Sequence, residues 1–326
     1  MSEWRDAVQR QPANLAAAAA AFADTIGAVD LETLRRGTIV FAGIGASAHA
    51  LIPSVLALRA AGRRAFALQA TELDHSSARE LADAFVLVSQ SGASTETVAA
   101  LERVQGVPLV AITARGDSPL AEAAHAWLPL GPEPDTPVAT LSYTATLQAL
   151  GMLCDALLGT TGPVWSELPG LAERLLESAA GPAAALAADF AAITALEAVG
   201  GGPGLASARE TALLAREALR LPATGMETRE YLHGPLEAVA TGFGAVIFGR
   251  ERERSLAASM ASFGARVMLV GDRNAEVPGV TLPEVPPIAA PILQILPVQL
   301  LVDEVAARRG LSIGELRRHQ DDTKVA

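Results

Sequence analysis

The chain has 326 residues, half of them hydrophobic and only 4% aromatic, with 25 Lys and Arg against 36 Asp and Glu and a net charge of −11. That length accommodates two domains of about 150 residues each. The acidic balance excludes a nucleic-acid-binding surface, which needs clustered Lys and Arg, but not a phosphorylated metabolite, which backbone amides and hydroxyls can hold.

In chain order, residues 1–36 read as an N-terminal helical segment, with strong helix propensity over Leu15–Ala23. A strand at Thr38–Ala42 enters Gly43-Ile44-Gly45-Ala46-Ser47 and a helix to about Ala61; Ala65–Gln69 is a second strand. Phe85-Val86-Leu87-Val88 is apolar throughout and predicts a buried third strand. Val107–Thr113 makes a fourth strand and Trp127–Leu130 a short fifth, and the Pro-rich segment Gly131–Pro137 leads into a long apolar helix, Thr140–Leu158. Residues 161–182 carry Gly162, Pro163, Pro169, Gly170, Gly181 and Pro182 and read as a connector. The order then recurs: strand Ile193–Val199, the turn Gly200–Gly204, a helix to Leu221, strand Phe243–Phe248, helix Arg252–Phe263, strand Ala265–Val270 and a final helix Ile288–Arg309.

Strands alternating with helices predict an α/β fold of doubly wound parallel sheets with right-handed crossovers. Glycine-rich turns after the first strand of each half point to an internal duplication. The domains expected are 37–160 and 183–326, the second carrying the C-terminal tail.

One cysteine, Cys154, lies in an apolar run and reads as a small core residue. It permits no internal disulfide, which suits a reducing cytoplasm. The acid-bearing N-terminus lacks a signal peptide's shape. The apolar stretch Ile288–Val302, interrupted by Pro291, Gln294, Pro297 and Gln299, reads as too short to span a bilayer. A cytoplasmic protein is expected.

The stretch that organises the chain follows the third strand. Ser89-Gln90-Ser91-Gly92-Ala93-Ser94-Thr95 places three serines, a threonine and a glycine within seven residues, ahead of a helical pattern at Val98, Leu101 and Val104. A strand turning through Gly92 into a helix aims free N–H groups and the positive end of the helix dipole at one small volume, a ready site for a phosphate monoester. The same pattern also joins many α/β units with no ligand at all, and Glu96 in the first turn repels an anion unless it points away.

Read together, both halves resemble the tandem SIS (sugar isomerase) domain family, of the kind that forms the isomerase half of glucosamine-6-phosphate synthase. Gly45-Ala46-Ser47 resembles the family's first Gly-Thr-Ser loop, and Ser89-Gln90-Ser91 with Ser94 its phosphate loop. Val138-Ala139-Thr140 stands at its Val-Ala-Ser, Arg216-Glu217 at its Lys-Glu, and His233-Gly234-Pro235-Leu236 at its His-Gly-Pro-Leu. Ala290–Leu301 resembles its last helix, and Thr323-Lys324-Val325 its terminal lysine. The resemblance implies two flavodoxin-like domains, a homodimer, and a phosphorylated sugar or amino sugar as substrate. It also implies phosphate and hydroxyl contacts from Gly45, Ala46, Ser47, Ser89, Gln90, Ser91, Ser94 and Thr140.

Three residues carry the implied chemistry. Glu217 has Leu213, Leu214 and Leu221 as helical neighbours, and a carboxylate on an apolar face has its pKa raised, which suits a base at neutral pH; an ordinary Glu paired with Arg220 is the other reading. The resemblance makes it the base that carries a proton between C1 and C2. His233 titrates in the range that serves ring opening, or is structural; the resemblance implies ring opening, with the histidine supplied across a dimer interface. Lys324 is a solvated tail residue or, by resemblance, the amine that takes part in ring opening.

Two departures limit the transfer. Leu214 stands where the synthase has a second lysine, and no glutaminase half precedes Ser2, so a glutamine-independent reaction is expected. No cluster of His, Cys, Asp and Glu has metal-ligand spacing, and the Gly200–Gly204 turn departs from a dinucleotide fingerprint, so neither metal nor cofactor is expected. Aldose–ketose isomerisation, with or without release of ammonia or an amine, is the expected activity. A sugar-phosphate sensor without chemistry and a fructosamine-phosphate deglycase are the alternatives.

Overall fold

The computed structural model describes residues 2–325 apart from 76–77, 133, 273–275, 316, 319 and 321. The first part of the chain forms α1 (Glu3–Thr25), α2 (Leu31–Arg36), β1 (Ile39–Gly43), α3 (Ala46–Ala60), β2 (Ala65–Gln69), α4 (Ala78–Leu81), β3 (Ala84–Val88), α5 (Thr95–Arg103), β4 (Leu109–Thr113), α6 (Pro119–Ala123), β5 (Ala126–Pro129), α7 (Leu141–Leu158) and α8 (Val164–Ala191). The rest forms β6 (Ala195–Gly200), α9 (Gly204–Glu217), β7 (Ala223–Met226), α10 (Thr228–Tyr231), β8 (Phe243–Gly249), α11 (Glu251–Ser262), β9 (Arg266–Gly271), β10 (Gly279–Thr281) and α12 (Ala290–Arg308).

Two five-stranded parallel sheets result, ordered β2-β1-β3-β4-β5 and β10-β9-β8-β6-β7. Counted from β6, the second sheet repeats the order of the first. Both have the 2-1-3-4-5 arrangement of flavodoxin-like folds, whose ligand-binding crevice opens where the strand order reverses, between the first and third strands. The two halves thus share one strand order.

The chain divides into two compact units. One holds residues 13–134, 141–169 and 318–326 and carries the first sheet; the other holds 1–12, 135–140 and 170–317 and carries the second. In the first, β1, β3 and β4 are buried along their whole lengths, as continuous apolar runs in a sheet covered on both faces should be. Val40, Phe85, Leu87, Leu109 and Ala111 pack with Val104 and Leu120. At the edge, β2 exposes Phe66, and the Arg59 guanidinium lies 4.8 Å from its ring centroid. In the second unit, Val199, Ile247 and Leu269 pack with Leu256 and Met260 of α11 and with Tyr231.

Several boundaries differ from those expected. The connector 161–182 is helical from Val164 onward, and α8 runs through Gly170, Gly181 and Pro182. Its buried residues Ala172, Leu175, Leu176, Ala179, Ala183, Leu186, Ala187 and Phe190 recur three or four apart, and burying that stripe outweighs the local breakers. The tail, placed by chain order in the second domain, clusters with the first sheet. Strands β7 and β10 have four and three residues, too few to show a period. Helix α12 reaches Arg308 and, like α7, is long and apolar enough to cross a membrane by length and composition; 78% of the apolar window of each is buried in the fold, as in a core helix.

Candidate functional site

The switch point of the first sheet lies beyond β1 and β3. β1 ends at Gly43, where a Cβ would stand 3.0 Å from both Ser47 Cβ and the Val88 carbonyl, a close approach of the two loops that any side chain would crowd. Gly45 takes φ +57° and starts α3, with Ala46 and Ser47 in its first turn. Ser47 is half-buried and donates its N–H to the Ile44 carbonyl at 3.2 Å.

β3 delivers Ser89, which is 2% exposed, with its hydroxyl 3.0 Å from that of Ser94. Ser91 Oγ accepts the Ala93 N–H at 3.2 Å. Gly92 has φ +65°, and a Cβ there would overlap Ser118 Oγ at 2.0 Å. The Gln90 carbonyl accepts the Ala114 N–H at 3.0 Å and the Thr113 hydroxyl at 3.1 Å, which ties the loop to β4 while Gln90 itself stays exposed. Ser94 is the N-cap residue of α5, yet its hydroxyl turns to Ser89 instead of capping the helix. The hydroxyls of Ser89, Ser91 and Ser94 thus gather at the positive end of α5, a setting that suits an anion.

The tail runs against this loop. The Thr95 N–H donates to the Thr323 carbonyl at 3.2 Å, the Thr95 hydroxyl to the Asp322 carbonyl at 2.6 Å, and the Val325 N–H to the Ala93 carbonyl at 2.9 Å. An antiparallel bridge pairs Ser94 with Lys324. Lys324 is exposed.

Glu217, His233 and Thr140 fall in the other unit. Helix α9 ends at Glu217, not Leu221, because Arg220 turns the chain with φ +59°. The flanking arginines are engaged elsewhere: Arg216 donates to the Ala223 carbonyl at 2.9 and 2.6 Å, and Arg220 to the Glu315 carbonyl at 3.1 Å. The Glu217–Arg220 pair is therefore not formed. Glu217 as a residue is exposed, but the protein packed around its carboxyl pushes its pKa up to about 7, and the charge of Glu210 adds to this. Glu210 is fully buried two turns earlier on the same face, a carboxylate the sequence reading missed although its seven-residue spacing was visible. The negative end of α9 acts in the same direction. Leu214 is fully buried.

His233 is exposed, precedes Gly234 at φ +139°, and donates its N–H to the Glu230 carbonyl at 3.0 Å. Thr140 is fully buried, its N–H 3.2 and 3.1 Å from the two Asp135 carboxylate oxygens and its hydroxyl also donated to Asp135. Asp135, absent from the expected set, thus claims both donors of Thr140.

The second sheet has a corresponding corner with different chemistry. Beyond β6 a Cβ on Gly201 would lie 3.1 Å from Glu253 Oε1 and 3.6 Å from Glu227 Oε1. Glu253 accepts the Thr228 hydroxyl at 2.8 Å and the Arg250 N–H at 3.3 Å, closing the start of α11. Glu227 accepts the N–H groups of Arg229 and Glu230 at 2.6 and 3.1 Å, closing α10. Carboxylates stand where the first unit gathers hydroxyls.

Cys154 is 1% exposed, and its Sγ lies 3.4 Å from the Ser54 carbonyl; burial pushes the thiol up to about 12, which leaves no thiolate for nucleophilic chemistry.

Residues 34–158, which contain the hydroxyl-lined corner, match the family model of the SIS domain. Over 257 residues the chain is 28% identical to the glutamine–fructose-6-phosphate aminotransferase (isomerizing) of Zymomonas mobilis, an alignment covering 71% of this chain and 42% of that protein. The chain thus spans less than half the length of the curated relatives it matches. Among solved structures it resembles glucosamine-6-phosphate deaminase from Thermotoga maritima, with a TM-score of 0.80 at 22% identity over 100% of both chains. It also resembles tagatose-6-phosphate ketose/aldose isomerase from Escherichia coli, with a TM-score of 0.78 at 19% identity over 98% of this chain and 96% of that one. These likenesses establish the fold: two five-stranded parallel sheets flanked by helices, as in SIS phosphosugar isomerases.

Proposed function

We propose that the chain is a tandem-SIS enzyme that interconverts the aldose and ketose forms of a sugar or amino-sugar 6-phosphate. The observation that carries this reading is the corner beyond β3, where Ser89, Ser91 and Ser94 meet the start of α5. There Ser47, Ser89, Ser91, Ser94 and the backbone of the Gly45–Ser47 and Gln90–Thr95 loops hold the phosphate. Glu217, whose pKa stands at about 7, is the base. It takes the proton from C2 of the open-chain aldose and returns it to C1, while the hydroxyl proton passes from O2 to O1, so the atoms balance without a co-reactant. With nitrogen on C2 the same transfer gives an imine that water hydrolyses to the ketose phosphate and ammonia.

His233 opens the ring, and its exposure in a single chain suits service to a second copy in a homodimer. The only thiol in this chain is the inert Cys154, so the reaction draws no ammonia from glutamine through a cysteine of this chain. Calorimetric binding of glucosamine 6-phosphate, fructose 6-phosphate and fructosamine 6-phosphates, with turnover and ammonia release followed on each, tests the reading. Binding with turnover supports it, binding without turnover establishes a sensor, and no binding overturns it.

A further inference from the structure

The hydroxyl-lined corner holds an electrostatic gap. Between Ser89 and Thr97 the only charged residue is Glu96, and the nearby Arg115 is engaged by Asp117 at 3.0 Å. A phosphate monoester carries about −1.5 to −2 charges at neutral pH, which neutral donors and the positive end of α5 offset only in part. The chain meets this from its far end, since the antiparallel bridge sets Lys324 directly opposite Ser94.

Residues directly opposed across an antiparallel pair carry their Cβ atoms on the same face, about 4.5–5.5 Å apart. The Ser94 hydroxyl points to that of Ser89, into the corner. The Lys324 stem therefore starts on the face that looks into the corner. Three hydrogen bonds hold the register on either side of it: Thr95 to Thr323, Thr95 to Asp322 and Val325 to Ala93.

We propose that Lys324 is the cation of the phosphate site, delivered by the tail segment Asp322–Val325 to the phosphate group and not to the sugar carbons. This rests on the function proposed above. It gives Lys324 a different task from the ring opening that the family resemblance implies, and it makes the tail a determinant of selectivity for phosphorylated over free sugars.

The test uses the full chain and two probes, inorganic phosphate and glucosamine 6-phosphate, with free glucosamine as control. Affinities are measured by calorimetry at two salt concentrations for the parent, Lys324→Ala and Lys324→Arg, alongside kcat and KM on whichever sugar phosphate turns over. The expected result is a loss of about tenfold in affinity for both phosphorylated probes in Lys324→Ala, the scale of one charge-assisted hydrogen bond. The salt dependence of binding falls with it, Lys324→Arg restores most of the affinity, and KM rises while kcat stays within about threefold of the parent. Unchanged phosphate affinity with a collapse of kcat would overturn the proposal and return the amine to ring opening. A parent chain that binds neither phosphorylated probe would overturn the underlying function instead, an outcome visible before any variant is made.

Discussion

The two switch points of this chain share a strand order and differ in charge. At the first, Ser94 turns its hydroxyl to Ser89 and makes no side-chain cap on α5, whose Thr95 N–H goes instead to the Thr323 carbonyl of the tail. At the second, Glu253 reaches back to the Arg250 N–H and takes the Thr228 hydroxyl, so α11 begins already satisfied by an anion of its own. The repeated strand order supplies two corners suited to an anion, and only at the second does a carboxylate in the first turn of the following helix already take that place. The second corner shows what the first would be with an internal carboxylate in place of a phosphate.

The variant expected to have the largest effect removes the proposed base and leaves both corners intact. Glu217→Gln is expected to keep sugar-phosphate binding and lose turnover by about a hundredfold or more, the usual scale for general-base catalysis. In the parent enzyme kcat/KM should rise with pH through about 7, because Glu217 acts only when deprotonated. The same shift has a sign for stability. A carboxyl whose folded pKa lies above its unfolded value near 4.3 binds protons more tightly when folded, so its contribution to stability falls as pH rises through the window up to about 7. Thermal melts should therefore show Glu217→Gln no less stable than the parent at pH 5 and relatively more stable at pH 8.

Next in size is a variant that deforms the open corner. Gly92→Ala must place a Cβ against Ser118 at φ +65°, and is expected to cost about 1–3 kcal/mol in denaturant unfolding and to abolish phosphate binding. The matching change at the closed corner, Glu253→Gln, should cost about 1 kcal/mol through the lost cap and leave sugar-phosphate affinity untouched. A large effect of Glu253→Gln on affinity would end the distinction between the corners. Smallest is Thr95→Val, which removes the hydroxyl bonded to the Asp322 carbonyl and should weaken glucosamine 6-phosphate binding by about threefold.

The open corner was legible because its signals are local. Four apolar residues, a Gly-centred turn and clustered hydroxyls lie within fourteen positions, from Phe85 to Val98, and each acts on its neighbours. The buried central strands were read from the same kind of signal. The tail contact was not readable, since the pairing of Ser94 with Lys324 joins residues 230 positions apart and no pattern in either segment announces the other. Thr140 shows the limit of reasoning from a motif: the hydroxyl stands at the expected place in the sequence, but Asp135 five residues earlier claims it. For Glu217 the residue and the direction of its pKa were legible, while the reason that Arg220 fails to pair with it lies in a backbone turn and a carbonyl at Glu315. Gly170, Gly181 and Pro182 misled, because local punctuation loses to a buried stripe whose gain accumulates over many turns.

The burial of Cys154 has a practical side. With its sulfur enclosed and its proton held tightly, the native chain offers maleimide reagents essentially no target at neutral pH. A cysteine introduced at the exposed Asp322, whose contact with Thr95 runs through its backbone carbonyl, would then take a single fluorophore without background. Its emission would follow the tail as sugar phosphates are titrated in.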